Sequence, residues 1–106
     1  MIKQITPIEA QKMLNSGENV RLIDVREQWE YNIAKIENSE LMPLSSFQIH
    51  LQKLDPDENY IISCHHGNRS YQVCAFLVQN GFKNVSNLYG GIDAWSREVD
   101  PSIPVY

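Results

Sequence analysis

The chain has 106 residues, 42% hydrophobic and 21% charged, with a formal net charge of −4. That length fits one domain over residues 1–106, with one core and little stability to spare. The nine Lys and Arg residues are scattered, which argues against nucleic acid as a partner; apolar runs are too short to cross a bilayer, and Met1–Ile5 lacks a secretory apolar stretch.

Ile2–Ile5 reads as a short strand. Thr6-Pro7-Ile8-Glu9 then opens a helix, with a Thr cap, Pro at the first helical position and Glu at the third. Ile8, Met13 and Leu14 form its expected apolar face, and Gly17 ends it. Val20–Val25 is β-branched and apolar at its centre, as in a buried strand. Glu27–Tyr31 reads as one helical turn, and Leu41-Met42 before Pro43 as a brief strand. Ser45 or Ser46 can cap a helix carrying Phe47, Ile49, Leu51 and Leu54. Asp55-Pro56-Asp57 is a turn, and Tyr60–Ser63 is the next strand.

Ser70–Asn80 is the clearest helix, with Tyr71, Cys74, Ala75 and Val78 at helical spacing, Leu77 beside them and Gly81 as the stop. Val85–Leu88 is a strand and Tyr89-Gly90-Gly91 a turn. Ile92–Arg97 is a helix with Trp95 inward, and Asp100–Pro104 is an extended tail. Strands alternate with helices throughout. The expected fold is α/β: three α/β/α layers around a mostly parallel five-stranded sheet. Ligands in such sheets bind beyond the carboxyl ends of the strands.

One such end carries the chemistry. Cys64-His65-His66-Gly67-Asn68-Arg69 links the fourth strand to the helix opened by Ser70. A tight loop running into a helix N-terminus turns backbone N–H groups inward and favours anions. Gly67 suits that loop, since positive φ carries no steric cost there. A thiol at its start, among amides and beside an arginine, is expected to be a reactive thiolate.

The segment "CHHGNRS" resembles the active-site loop of the rhodanese family. Two flanking segments agree: "LIDVREQWEY" resembles the family's Asp-x-Arg segment, and "NLYGGIDAW" its Leu-x-Gly-Gly-x-x-x-Trp segment. The resemblance implies a sulfurtransferase of the thiosulfate type. Cys64 would take a sulfane sulfur from thiosulfate or a persulfide, hold it as a persulfide, and pass it to cyanide or a thiol. The N–H groups of His65, His66, Gly67, Asn68, Arg69 and Ser70 would hold the charge. Arg69 would add positive charge at the rim or anchor the loop to an acidic neighbour. Related phosphatases carry one more residue between Cys and Arg, so the short loop argues against phosphate. The alternatives are a sulfur-carrier or regulatory module working with a protein donor or acceptor, and behind these a small phosphatase or arsenate reductase. No cofactor is implied.

Two departures from the family pattern stand out. His65 occupies the position where many members have arginine, which removes a fixed positive fork. Ala34-Lys35-Ile36-Glu37-Asn38-Ser39 replaces a Gly-His-Ile-x-Gly-Ala segment, which implies an altered loop. Cys74 reads as a core thiol, with a resolving role open if it lies under the loop. Both cysteines are expected to be reduced, in the cytoplasm. His65 and His66 are not expected to bind metal, since adjacent residues rarely converge on one ion. His50 reads as partly exposed surface. Asp24 and Arg26 are expected to brace neighbouring loops through an ion pair.

Overall fold

The computed structural model describes residues 2–106. In chain order its elements are β1 (Lys3–Ile5), α1 (Pro7–Asn15), β2 (Val20–Asp24), α2 (Gln28–Ile33), β3 (Glu40–Leu41), a 3-10 turn (Leu44–Ser46), α3 (Phe47–Leu51), β4 (Asn59–Ser63), α4 (Asn68–Gln79), β5 (Asn84–Leu88) and α5 (Gly91–Glu98). The strands form one five-stranded sheet in the order β1-β5-β4-β2-β3. Every pairing in it is parallel. The architecture is the expected α/β/α sandwich.

Strand periodicity divides the core. In β4, Tyr60 and Ile62 point to one face and Ile61 to the other; in β2, Ile23 and Leu22 split likewise. One face packs Phe47 of α3 and Val73, Cys74 and Leu77 of α4. The other packs Ala10 of α1, Ile92 and Trp95 of α5, and Ile36. With both faces covered, the central strands read as continuous apolar runs rather than alternating ones. No helix among the described residues is long and apolar enough to cross a membrane.

The strand order creates a crevice. β2 and β4 are neighbours, yet the chain leaves β2 toward β3 on one side and leaves β4 toward β5 on the other. The loops after these two strands diverge, opening the sheet at the carboxyl ends where ligands bind. Asp24 and Ser63 are paired at that edge, so Val25 and Cys64 emerge side by side from it, with Arg26 one residue beyond.

Several local expectations shift. The capping box between Thr6 and Glu9 forms at α1, but it turns Ile8 outward and Ala10 inward. α2 is six residues long and extends past Tyr31 to Ile33, and at its start the Glu27 N–H donates to Glu30 Oε1. β3 lies one residue earlier than Leu41-Met42. Neither Ser45 nor Ser46 caps α3 through its side chain; Ser45 Oγ donates to Glu27 instead. Ile49 points to solvent. α4 starts at Asn68, and its buried stripe is Ser70, Val73, Cys74 and Leu77, leaving Tyr71 and Val78 exposed. A serine at the head of that stripe breaks its apolar pattern, and the site explains why it is there. α5 also extends one residue beyond expectation at each end.

Candidate active site

β4 ends at Ser63, and the next residue, Cys64, is 1% exposed. The loop curls back over the sulfur. The Gly67 N–H donates to Cys64 Sγ at 3.1 Å and the Ser70 N–H at 3.4 Å. Of the six amides expected around the sulfur, these two reach it. Gly67 has φ of 102° at the position just before α4, so the turn at the loop's tip favours a residue without a Cβ. The sulfur therefore has backbone dipoles on one side and apolar packing from the α4 core on the other.

Ser70 Oγ lies 3.3 Å from Cys64 Sγ, and either atom could donate. The neighbouring Asn87 settles the direction. Asn87 Nδ2 donates to the Gly67 carbonyl at 3.1 Å and to Gln4 Oε1 at 2.8 Å. Its amide orientation is thus set by a backbone oxygen, and its Oδ1 faces Ser70. The Ser70 hydroxyl donates there, so Ser70 Oγ presents a lone pair to the sulfur.

Arg69 reaches across the crevice to α2. Its Nη1 and Nη2 donate to Glu30 Oε1 and Oε2 at 2.6 and 2.8 Å. Of the two roles expected for Arg69, the geometry is that of an anchor. Glu30 is buried and also accepts from the Tyr106 hydroxyl at 2.8 Å. The Arg69 guanidinium holds the Glu30 carboxyl down at about 2, from an ordinary 4.5. Asp24 and Arg26 form an adjacent buried ion pair with N···O of 2.7 Å. Arg26 also donates to the carbonyls of Glu30 and Ala34 and to the Tyr106 hydroxyl. Because Arg26 is wholly buried and its guanidinium so fully engaged, it ties β2, α2 and the tail together. Beyond Ala34 the chain turns at Asn38, which has φ of 68°. Asparagine is one of the few side chains tolerated there.

His65 does not project into open space. Its ring is stacked between His66, at 3.8 Å, and Tyr106, at 3.9 Å. Burial, together with His66, pushes its imidazole pKa below the usual value. Its Nε2 is buried without a hydrogen-bond partner. His66 and Asn68 are exposed. His65, His66 and Asp93 place one ligand-type atom each within 4.8 Å of one another, a convergence that adjacency in sequence did not predict. The two imidazole planes are 28° apart, and Arg97 donates to the Asp93 carboxylate at 3.1 Å.

The far side of the loop rests on α5. Ile92 N–H donates to the Cys64 carbonyl at 2.9 Å and Asp93 N–H to the His65 carbonyl at 3.1 Å. A Cβ on Gly91 would lie 2.5 Å from the Cys64 oxygen and 2.4 Å from the His65 oxygen. The second glycine of the pair is thus a close-approach residue as well as part of a turn. Cys74 lies in the same core as Cys64, and burial pushes its thiol up to about 12. Both cysteines are free.

Sequence reasoning missed Glu30, Asn87, Gln4 and Tyr106. Glu30 had a local signal, since Glu27-x-x-Glu30 has capping-box spacing. The other three are placed by strand neighbours and a returning tail, which leave no local pattern.

The chain is similar to proteins of one family. A profile of the rhodanese-like domain matches residues 6–98. The chain is 34% identical over 104 residues to a Haemophilus influenzae protein named thiosulfate sulfurtransferase GlpE, covering 98% of this chain and 97% of that one. It is 42% identical over 93 residues to the rhodanese-like/PpiC domain-containing protein 12 of Arabidopsis thaliana chloroplasts, covering 84% of this chain and only 31% of that protein. The crystal structure of a rhodanese-like domain protein from Staphylococcus aureus superposes with a TM-score of 0.85 at 30% identity, covering 99% of both chains.

Proposed function

The chain belongs to the rhodanese-like sulfurtransferase family, and we propose that it transfers sulfane sulfur through a persulfide on Cys64. The whole chain acts as a single domain in this reading. The observation that carries it is the pair of amides, from Gly67 and Ser70, donating to a thiol at the carboxyl end of a central strand. Amides so placed stabilise negative charge on the sulfur as it attacks, and the terminal persulfide sulfur remains near the same helix N-terminus afterwards. The step is nucleophilic and covalent, and it splits one transfer into two. The Cys64 thiolate attacks the outer sulfur of thiosulfate or a persulfide, the donor's S–S bond breaks with its electron pair leaving on sulfite or the donor thiolate, and a thiol or cyanide later removes the sulfur.

Asp24, Arg26, Arg69 and Glu30 hold the loop against α2 in this mechanism, and none of them moves a proton. His66 and Asn68 line the approach, with His65 seated behind them. Since Cys64 is almost wholly covered, the donor arrives as exposed loop side chains change rotamer, a fast motion for such residues. Free thiols at both cysteines suit a reducing, cytoplasmic setting. Protein donors or acceptors are compatible with the Arabidopsis relative, in which a similar domain is part of a longer chain.

Mass spectrometry of the intact protein after exposure to a sulfane donor tests the reading. The expected result is a gain of one sulfur atom, absent in Cys64→Ala, removed by cyanide with release of thiocyanate. Equal sulfur loading in Cys64→Ala would end the proposal.

A further inference from the structure

The charge balance around the sulfur bears on which donor it accepts. The arginines brought to the loop are both neutralised: Arg69 by a two-pronged pair with Glu30, and Arg26 by Asp24 inside the protein. His65, next to the nucleophile, is stacked flat between two rings, with burial favouring its neutral form. A cavity of about 320 Å³ beside the loop has His66, Asn68, Tyr71, Asn87 and Tyr89 in its lining and no lysine or arginine. The protein as a whole carries −4, so its field does not draw in a dianion.

The hydroxyl nearest the sulfur points the same way. Ser70 is committed as a donor to Asn87, so it offers the sulfur a lone pair. That arrangement accepts a proton from an S–H and adds no third donor for a highly charged adduct. Aromatic surface replaces positive charge around the loop: Trp29, Tyr71 and Tyr89 are exposed, and Trp29 packs edge-on against Tyr106.

We infer that the donor this site is built for is an organic persulfide, singly charged at its reacting sulfur, in preference to the thiosulfate dianion. The inference rests on the sulfur-transfer reading and narrows its substrate class. In the step, Cys64–S–H and R–S–S⁻ exchange the proton, so that the thiolate Cys64–S⁻ faces R–S–S–H. A bond forms between the Cys64 sulfur and the donor's outer sulfur, and the donor's S–S bond breaks. The electron pair stays on R–S, which takes the proton given up by Cys64 and leaves as R–S–H. The product is Cys64–S–S⁻. The site holds one negative charge before and after, and the transferred sulfur keeps its oxidation state. With thiosulfate the same site would hold at least two negative charges with no unpaired arginine to meet them, while the organic group R has aromatic surface to rest on.

The test compares second-order rates of sulfur loading on wild-type protein by glutathione persulfide and by thiosulfate, followed by mass at Cys64. A rate at least tenfold greater for glutathione persulfide supports the inference. Thiosulfate loading as fast or faster overturns it while leaving sulfur transfer intact. Loading by neither donor overturns the sulfur-transfer reading and the inference with it. Glu30→Gln, which leaves the Arg69 guanidinium without a carboxylate, supplies a second measurement. Thiosulfate should gain relative to glutathione persulfide by about tenfold, and an unchanged ratio counts against the role of neutralised charge.

Discussion

The ring of His65 lies on the ring of Tyr106, with centroids 3.9 Å apart and planes 2° from parallel. The residue beside the nucleophile is held by one 41 positions further along the chain. The same Tyr106 accepts from Arg26 and donates to Glu30, each at 2.8 Å.

Tyr106 therefore contributes through two separable contacts. Tyr106→Phe keeps the stack and loses both hydrogen bonds, at an expected cost of about 1–2 kcal/mol. Tyr106→Ala loses the stack as well, adding roughly another 1–2 kcal/mol. Urea unfolding of the two variants measures both steps, and equal stability for the pair would show that the stack contributes nothing.

Gly91 and Gly17 both have positive φ, 61° and 83°, but only Gly91 faces neighbours that a Cβ would strike. An alanine at either position meets backbone strain of about 1–2 kcal/mol. At Gly91 it must also push the Cys64 and His65 carbonyls away, adding roughly 1–3 kcal/mol. Gly91→Ala is expected to be the less stable variant and to load sulfur more slowly, whereas Gly17→Ala loads normally. Equal melting temperatures would remove the close-approach role of Gly91.

Glu30 sets an acid-sensitive contribution to stability. Its carboxyl is held at about 2, below the ordinary 4.5, chiefly by hydrogen bonding from Arg69. A lowered carboxyl favours folding while it is ionised, so its contribution is complete above 4.5 and disappears as the pH falls toward about 2. The difference corresponds to roughly 3 kcal/mol. Stability measured between these limits should fall less steeply in Glu30→Gln, and identical slopes would show that Glu30 does not set this dependence.

Cys74 is expected to stay inert. Burial, with the nearby Cys64, pushes its thiol up to about 12, so it carries almost no thiolate near neutrality. Alkylation at pH 8 should modify Cys64 first and leave Cys74 untouched until the protein unfolds. Cys74→Ala should retain sulfur loading and lose about 1 kcal/mol of stability through the small void left behind. Loss of loading in that variant would assign Cys74 a chemical role.

Much of this was legible in the chain. The apolar run at Tyr60–Ser63, the turn at Gly67 and the helix beginning just after it are local features. They place Cys64 without any knowledge of distant contacts. The reading failed where a polar residue faces inward. Ser70 heads the buried stripe of α4, so a count of apolar positions slid the helix face by one residue toward Tyr71. It failed likewise at Ile8, where the capping geometry set the rotation of α1.

By itself, the order of residues determined the alternation of strands and helices, the loop that starts at Cys64 and the need for glycine at its tip. Hydrophobic period, capping and turn chemistry act over a few neighbours, so they are written locally. Only the tertiary structure decided that Arg69 is neutralised by Glu30, that Asn87 turns the Ser70 hydroxyl, and that Tyr106 covers His65. Those pairings are 17 to 41 positions apart in the chain or arise between neighbouring strands and a returning tail, and nothing short of the packed sheet brings them within hydrogen-bonding range.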